Sequence, residues 1–323
     1  MRDQSRCDQP IRVAVLYGGR SSEREVSLST GAAIGAALRE RGHLVTMIDP
    51  RDPARPSHHI NLLKALDEAQ VDLVFNALHG TYGEDGCLQG ALEWSGVPYT
   101  GSGIKASAVA MDKDMSRRLF ASAGVPVARA LTWRSGSALP NEDQLPQAPW
   151  ALKPLAEGSS VGIKKVLCFT ELMSHLAEAQ GSWLVETWLE GVELSVMVLD
   201  GQAWGGVEIV PSSGWYDYEA KYVRGDTQYF CPPRLPQARL DEIYSLAERA
   251  YKALDCSGVA RVDFISNADA LIALEINTSP GMTATSLVPK VAQSKGVDFG
   301  ALCELLARGA LSQAKELGDG RPE

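Results

Sequence analysis

The stretch Val259-Ala260-Arg261-Val262-Asp263-Phe264, followed by Leu274-Glu275-Ile276-Asn277, sets polar side chains into two short apolar strands. Strand side chains alternate between faces, so the arginine and the aspartate share one face of the first strand, and the glutamate and asparagine share one face of the second. Residues 266–269 have the composition of a hairpin turn. Such oxygen ligands suit Mg²⁺ beside substrate phosphates, and the arginine suits a developing anion. The alternative interpretation is a hairpin with one solvated face.

Composition limits the classes of function. The chain has 323 residues, 45% of them hydrophobic, which is enough for two or three domains with buried cores. No apolar run approaches the roughly 20 residues that span a bilayer, and residues 1–10 are polar, so we expect a cytoplasmic protein without membrane contact. Six scattered cysteines without a CxxC pair argue against a zinc cluster and a disulfide framework. A formal net charge of -9 gives no support to nucleic-acid binding.

The first hundred residues predict a parallel α/β domain. Strands are indicated at residues 11–17, 44–48 and 71–78, with helices after the first strand and at residues 60–69. Such sheets bind ligands at the carboxyl ends of the strands, where Glu23 and His79 lie. A dinucleotide-binding domain would have GxGxxG directly after the first strand. The chain has Gly18-Gly19 followed by Arg20, which argues against a dehydrogenase.

The remaining sequence indicates two further parts. A helix is predicted over residues 105–123, followed by strands at 131–133, 150–153 and 183–186. From Leu194 onward, the pattern indicates an α+β part with alternating strands, an aromatic loop, a helix over residues 240–254 and the hairpin. We therefore expect three domains, at residues 1–104, 105–193 and 194–323.

Three segments have both a functional and a structural interpretation. Lys153 ends a strand before the glycine- and serine-rich residues 157–162, which suit phosphate oxygens or a surface turn. Glu186 and Glu193 border a second turn, where a carboxylate suits a nucleotide's ribose or exocyclic amine, or simply solvent. The aromatic residues of 214–222 suit a lid that excludes water from a labile intermediate, or an ordinary packed loop.

Five motifs, taken in order, resemble those of the D-alanine:D-alanine ligase family of the ATP-grasp superfamily. They are residues 18–27, 79–86, 157–162, 216–222 and 277–283, and the match runs from about residue 11 to about residue 311. The resemblance implies a Rossmann-like pre-ATP-grasp domain followed by a two-lobed ATP-grasp fold. It further implies a homodimer that joins two D-alanine molecules for peptidoglycan, with ATP split to ADP and phosphate.

The resemblance also implies a nucleotide site. It assigns Lys113 and Lys153 to the phosphates of ATP, Glu186 to the adenine, the backbone of Trp188 and Leu189 to the base edge, and Glu193 to the ribose. Asp263, Glu275 and Asn277 are assigned to Mg²⁺, which Mn²⁺ can replace.

The implied chemistry is transfer of the γ-phosphoryl group to the first D-alanine, followed by attack of the second amine on the acyl phosphate. Lys221 spreads the charge of the transfer, while Arg261 and the Gly281 amide stabilise the oxyanion. Glu23 binds the first ammonium, helped by His79, and forms hydrogen bonds with Ser159 and Tyr222. The second carboxylate is received by Ser286 and the Leu287 amide.

One departure and two alternatives accompany the resemblance. Residues 283–287 read Thr-Ala-Thr-Ser-Leu where the family usually reads Thr-Ser-His-Ser-Leu, so a common histidine near the second substrate is absent. A related ligase that uses D-lactate or D-serine as acceptor is the first alternative, and Tyr222 in its Glu-Ala-Lys-Tyr pattern argues against it. A nucleotide-binding protein without catalysis is the second, and the intact polar set of the hairpin argues against it.

Overall fold

The computed structural model describes residues 9–51, 62–212, 214–216, 218–222, 224–268, 270–283 and 285–318. The chain folds into two compact units. The first unit comprises the described residues up to Ile104, Ser257–Val259 and those from Ser279 onward, and the second comprises Lys105–Cys256 and Ala260–Thr278. The described residues from Ser279 onward are thus part of the same unit as the beginning of the chain. The division into three domains stays a prediction.

In chain order, the described strands are β1 (Arg12–Leu16), β2 (Leu44–Ile48), β3 (Leu73–Asn76), β4 (Ala130–Arg134), β5 (Trp150–Pro154), β6 (Lys164–Val166), β7 (Ser182–Thr187), β8 (Val192–Leu199), β9 (Gln202–Val210), β10 (Gln228–Phe230), β11 (Val259–Ser266) and β12 (Leu271–Asn277). The described helices are α1 (Arg24–Glu40), α2 (Leu62–Glu68), α3 (Cys87–Ser95), α4 (Ile104–Met111), α5 (Lys113–Ser122), α6 (Phe169–Glu178), α7 (Tyr218–Tyr222), α8 (Gln237–Ala253), α9 (Leu287–Ser294) and α10 (Phe299–Gly318). None of these helices is long and apolar enough to cross a membrane.

The first unit contains a parallel sheet in the order β2-β1-β3, which confirms the predicted parallel α/β domain. Four of the five residues of β1 are buried, because a central parallel strand is covered on both faces. Helix α10 packs against α1, and Arg41, which follows α1, donates from Nε to Glu304 Oε2 of α10 at 2.6 Å. The last described helix therefore completes the unit that the first strand begins.

The second unit contains two sheets. One has the order β4-β7-β5-β6 with antiparallel neighbours, and its core includes Trp133, Trp150 and Leu172 of α6. The other has the order β10-β9-β8-β11-β12, and α8 packs on it around a core that includes Phe264. The hairpin is formed by β11 and β12, as its alternating pattern predicted.

The helix predicted over residues 105–123 is in fact two helices, α4 and α5, which break at Asp112. The Asp112 side chain accepts hydrogen bonds from the amides of Asp114 and Met115, so it caps the start of α5. The strand predicted over residues 71–78 is also shorter, since β3 covers only Leu73–Asn76. Of the helix predicted over residues 60–69, residues 60 and 61 lie outside the described residues.

Candidate functional site

The polar face of the hairpin is tightly connected. Asp263 lies opposite Glu275 in the β11–β12 ladder, and Arg261 lies opposite Asn277. Arg261 donates to Asp263 through Nε at 2.9 Å and through Nη2 at 2.8 Å, and Ser195 Oγ on β8 donates to Asp263 Oδ1 at 2.7 Å. This carboxylate raises the pKa of Arg261 despite the opposing effect of burial. The side chains predicted to share a face therefore do so.

The pKa of Glu275 on this face is lowered from its ordinary value. Its Oε2 lies 3.6 Å from Lys113 Nζ on α5. Burial alone raises the pKa of Glu275, but Lys113 and three other cations outweigh burial and lower the pKa to about 2. The three others are Lys221, Lys153 and Arg261. A carboxylate held negative in this way suits a hard cation.

The donor set of the hairpin fits Mg²⁺. Among the described residues, no cluster of three or more His, Cys, Asp or Glu side chains could hold a metal ion. The predicted ligands Asp263, Glu275 and Asn277 are two carboxylates and an amide, so a bound ion would need further oxygen ligands. Magnesium usually keeps water and substrate phosphates in those positions, which matches an incomplete protein shell of oxygen donors.

The pKa values of Glu193 and Lys221 are shifted in opposite directions. Burial raises the pKa of Glu193 on β8 to about 7, although Lys221 acts in the lowering direction. Burial lowers the pKa of Lys221, against the raising effect of Glu275. The Lys221 ammonium on α7 also lies 5.1 Å from the centroid of the Tyr216 ring. Two half-buried titratable groups thus interact with the charged residues of the hairpin face.

The two predicted phosphate lysines are held by different partners. Lys113 Nζ donates to the Glu157 carbonyl at 2.6 Å, which ties the start of α5 to the glycine- and serine-rich loop. Lys153 on β5 pairs with Oε1 of Glu186 on β7. Both lysines and the loop therefore lie in one part of the second unit, as the phosphate interpretation requires.

Sequence reasoning missed Arg117. It follows Lys113 by one turn of α5, and its Nη1 donates to Glu186 Oε2 at 2.9 Å. Each oxygen of the Glu186 carboxylate is thus engaged by a cation. The four-residue spacing from Lys113 places both side chains on one face of the helix, and this spacing could have indicated Arg117 from the sequence.

The loop at residues 157–162 has two serines in the left-handed region. The φ angles of Ser159 and Ser160 are 52° and 59°, which is uncommon for residues other than glycine. Ser160 Oγ donates to the Tyr216 carbonyl at 3.2 Å, so the loop contacts the aromatic segment before α7. Tyr222 is the last residue of α7, and its side chain is not among the described ones.

One backbone group of the predicted adenine segment, Trp188 and Leu189, is already engaged in a hydrogen bond within the protein. The Trp188 amide donates to the Pro149 carbonyl at 2.7 Å, so the base edge would be read by the Trp188 carbonyl and the Leu189 amide. The rings of Trp188 and Trp215 lie 5.5 Å apart between centroids, which joins this segment to the aromatic loop.

In the first unit, the carboxyl ends of the strands bring Glu23 and His79 to one edge. His79 contacts Glu84 Oε1 through Nδ1 at 3.1 Å and Thr30 Oγ1 through Nε2 at 3.2 Å, two partners that sequence reasoning missed. Burial lowers the pKa of His79, but the carboxylates of Glu84 and, to a smaller extent, Glu23 outweigh burial and raise it. Glu23 is 7% exposed, and its Oε2 lies so close to Gly80 that a Cβ there would meet it at 2.8 Å.

A second polar group in the first unit is formed by Gly281, Thr283, Ser286 and Leu287. Ser286 Oγ accepts from the Thr283 amide at 3.0 Å, and a Cβ at Gly281 would lie 3.0 Å from this Oγ. Ser286 is the N-cap residue of α9, so the Leu287 amide belongs to the first turn, where backbone N–H groups favour anions. The chain thus supplies a hydroxyl and amides of the type that bind a carboxylate.

The predicted site residues fall into two groups, one in each unit. Glu23, His79, Gly281, Ser286 and Leu287 belong to the first unit. The second unit holds Lys113, Lys153, Ser159, Glu186, Trp188, Leu189, Glu193, Lys221, Tyr222, Arg261, Asp263, Glu275 and Asn277. The triad of Glu23, Ser159 and Tyr222 stays a prediction.

Comparisons with known proteins show which family this chain belongs to. The family model described as D-ala D-ala ligase C-terminus matches residues 119–308, and the D-ala D-ala ligase N-terminus matches residues 53–102. A D-alanine–D-alanine ligase from Anaeromyxobacter sp. (strain Fw109-5) is 48% identical over 309 residues, which cover 94% of this chain and 98% of that protein. One from Gluconobacter oxydans (strain 621H) is 45% identical over 315 residues, covering 94% of this chain and 100% of that protein.

A crystal structure of D-alanine–D-alanine ligase from Bacillus anthracis complexed with ATP matches with a TM-score of 0.83 and 31% sequence identity. The match covers 96% of this chain and 100% of that chain, which confirms the predicted ATP-grasp fold. The chain belongs to the D-alanine–D-alanine ligase family.

Proposed function

We propose that this chain joins two molecules of D-alanine into D-alanyl-D-alanine, with cleavage of ATP to ADP and phosphate, for peptidoglycan synthesis. The chain is an ATP-dependent ligase by family, and its relatives are named for this reaction. The observation that carries the mechanism is the hairpin face, where Arg261, Asp263 and Glu275 lie among lysines. A cluster of fixed cations and ionised carboxylates suits phosphoryl transfer, which depends on positioning and charge stabilisation.

The second unit supplies the nucleotide side of the reaction. Lys113 and Lys153 bind the phosphates, Glu193 takes the ribose, and the segment with Glu186, Trp188 and Leu189 takes the adenine. Asp263, Glu275 and Asn277 would hold Mg²⁺, or Mn²⁺ in its place, and the ion would supply positive charge that neutralises the phosphates. Lys221 spreads the negative charge of the transferred group, and the aromatic segment beside it excludes water from the intermediate.

Acyl phosphate formation explains why ATP is consumed. A carboxylate reacts poorly with an amine, and phosphorylation of one carboxylate oxygen of the first D-alanine turns that oxygen into part of a phosphate leaving group. The second amine then attacks the carbonyl carbon, and phosphate departs as the peptide bond forms. Arg261 stabilises the oxyanion, and donors of this kind contribute about 2.7–4 kcal/mol in other enzymes.

The first unit supplies groups for the amino acids. Glu23 binds the ammonium of the first D-alanine, and His79, whose pKa Glu84 raises, orients that edge. Gly281 contributes its amide to the oxyanion. Ser286 and the Leu287 amide bind the carboxylate of the second D-alanine. A homodimer and a cytoplasmic location complete the proposal and rest on the resemblance and the composition.

Phosphate release and product mass test this function. The chain is incubated with ATP, Mg²⁺ and D-alanine, L-alanine, D-serine or D-lactate, each alone and paired with D-alanine. Release with D-alanine alone, together with the dipeptide mass, is the expected result. Turnover only in a mixed pair would reassign the acceptor and contradict the argument from Tyr222. Nucleotide binding without turnover in any mixture would support the non-catalytic alternative.

A matched pair of variants tests the hairpin. Glu275→Gln removes the negative charge that the surrounding lysines hold, and we expect phosphate release to fall at least a hundredfold. Glu190→Gln is the control, because Glu190 is 80% exposed and pairs only with Lys165, at 3.3 Å, among its described partners. Equal activities of the two variants would contradict the assigned role of the hairpin face.

A further inference from the structure

Arg117 is a buried cation that the proposed mechanism does not use. It is 6% exposed and lies on α5, one turn after Lys113. Its Nη1 donates to Glu186 Oε2 at 2.9 Å, and its Nη2 donates to the Ala128 carbonyl. A guanidinium can span two acceptors because its donors form a rigid planar fork. The side chain thus fixes Glu186 relative to the backbone of a neighbouring segment.

Glu186 lies between two cations. It is 2% exposed, and its other oxygen, Oε1, pairs with Lys153 Nζ. A buried carboxylate needs partners on its lone pairs, and the loss of one partner leaves a desolvated charge free to reorient. The position of the Lys153 ammonium therefore depends on Glu186, and the position of Glu186 depends on Arg117.

The charge balance of this group suits an anionic ligand. Two cations and one carboxylate leave one positive charge in excess, and the side chains of all three residues are less than 15% exposed. Without Arg117 the pair of Lys153 and Glu186 would be neutral. The attraction of Lys153 for a phosphate would then be offset by the carboxylate beside it.

We propose that Arg117 is a positioning residue for the nucleotide. By holding Glu186, it fixes the position of the Lys153 ammonium and keeps the net charge of the three side chains positive where Lys153 meets the phosphates. This inference rests on the proposed function, in which Lys153 binds the phosphates of ATP. Arg117 itself touches neither ATP nor D-alanine, and its effect reaches the nucleotide through Glu186.

The test compares Arg117→Met with Arg118→Met in the full chain. Arg118 is the matched control, because it follows directly on α5, is 70% exposed and pairs with Asp114 at 2.7 Å. Binding of ADP with Mg²⁺ is measured by calorimetry without D-alanine, and KM values for ATP and D-alanine are measured separately. We expect Arg117→Met to weaken ADP binding and raise the KM for ATP about tenfold, the size of a lost charged hydrogen bond. The KM for D-alanine should change less than twofold, and Arg118→Met should match the wild type.

The conservative variant and a double variant separate positioning from structure. Arg117→Lys keeps the charge beside Glu186 and should recover most of the ADP affinity. A purely structural role would lower the unfolding temperature of Arg117→Met and leave ADP affinity unchanged, which would overturn the proposal. In a Glu186→Gln background, adding Arg117→Met should reduce ADP affinity by clearly less than tenfold, because the carboxylate that Arg117 holds is no longer present.

The double variant also decides the case in which Arg117→Met does not fold. A further tenfold loss of ADP affinity beyond that of Glu186→Gln would show that Arg117 acts independently, and would overturn the proposal. ADP binding is measured in the absence of the ligation reaction, so the experiment distinguishes failure of the Arg117 proposal from failure of the proposed function. A wild-type chain that binds ADP but makes no dipeptide would refute the proposed function alone, and one that binds no ADP would overturn both.

Discussion

Substitution of Gly80 by alanine should displace the Glu23 carboxylate. Gly80 has a φ of +67°, and an added Cβ would lie 2.8 Å from Glu23 Oε2 and 3.2 Å from Ser21 Cβ. Real Cβ contacts are essentially never under 3.0 Å, and ordinary contact begins at 3.4 Å. The carboxylate oxygen must therefore retreat by about 0.6 Å, since backbone and Cβ atoms on the other side cannot yield as readily.

The expected magnitude has two separable parts. The left-handed conformation costs a non-glycine residue roughly 1–2 kcal/mol, which appears as lost stability. Displacement of Glu23 weakens a charged hydrogen bond to the ammonium of D-alanine, worth about 1.5 kcal/mol or more, or roughly tenfold in binding. Gly96→Ala carries the first part alone, so its comparison with Gly80→Ala isolates the second. Its φ is +72°, and an added Cβ there would have nothing within 4 Å, so it shares the strain without the displacement.

Steady-state kinetics on both variants decide the question. We expect Gly80→Ala to raise the KM for D-alanine about tenfold and to leave the KM for ATP unchanged, whereas Gly96→Ala should leave both KM values at their wild-type level. Urea unfolding should show a similar loss of stability in the two variants. Equal D-alanine KM values in Gly80→Ala and Gly96→Ala would refute the assignment of Glu23 to the ammonium.

Two further predictions concern stability. Burial raises the pKa of Asp49, but its hydrogen bonds to Arg24 and to backbone amides outweigh burial and lower this pKa. The ionised Asp49 therefore stabilises the folded state at pH values above its unfolded pKa. This stabilisation is lost as the pH falls through the lower pKa of the folded state. The stability difference between the wild type and Asp49→Asn, measured by urea unfolding, should shrink between pH 7 and pH 3, and a constant difference would contradict this. Asp112→Ala removes the cap of α5 and should cost about 1 kcal/mol in the same assay, whereas Asp112→Asn should retain most of it.

The sequence predicted the parts of the molecule that depend on local pattern. Alternation in residues 259–264 and 274–277 predicted both the hairpin and the shared face of Arg261 and Asp263, because side-chain direction in a strand follows from the backbone alone. The apolar runs of the first unit likewise predicted a parallel sheet, since central parallel strands are covered on both faces.

Features that apolar periodicity does not report were beyond this reasoning. The break at Asp112 comes from a local contact, since its side chain turns back to cap α5, and the apolar periodicity continues through it. Arg117 looks like any basic helix residue until β7 places Glu186 against it. His79 resembles a lone histidine, although Glu84 follows it by five residues, and its second partner Thr30 lies on α1. The contacts of Arg117 with Glu186 and of His79 with Thr30 are tertiary, and no short window of sequence contains them.

The pairing of α1 with α10 has a consequence for synthesis on the ribosome. The second unit is complete once Thr278 has emerged, because all its residues lie between Lys105 and that point. Helix α1 is made early, yet its packing partner α10 is translated on the order of tens of seconds later at usual elongation rates. The unit that starts first is therefore finished last, and a nascent chain must keep the apolar side of α1 from other partners until the final helix arrives.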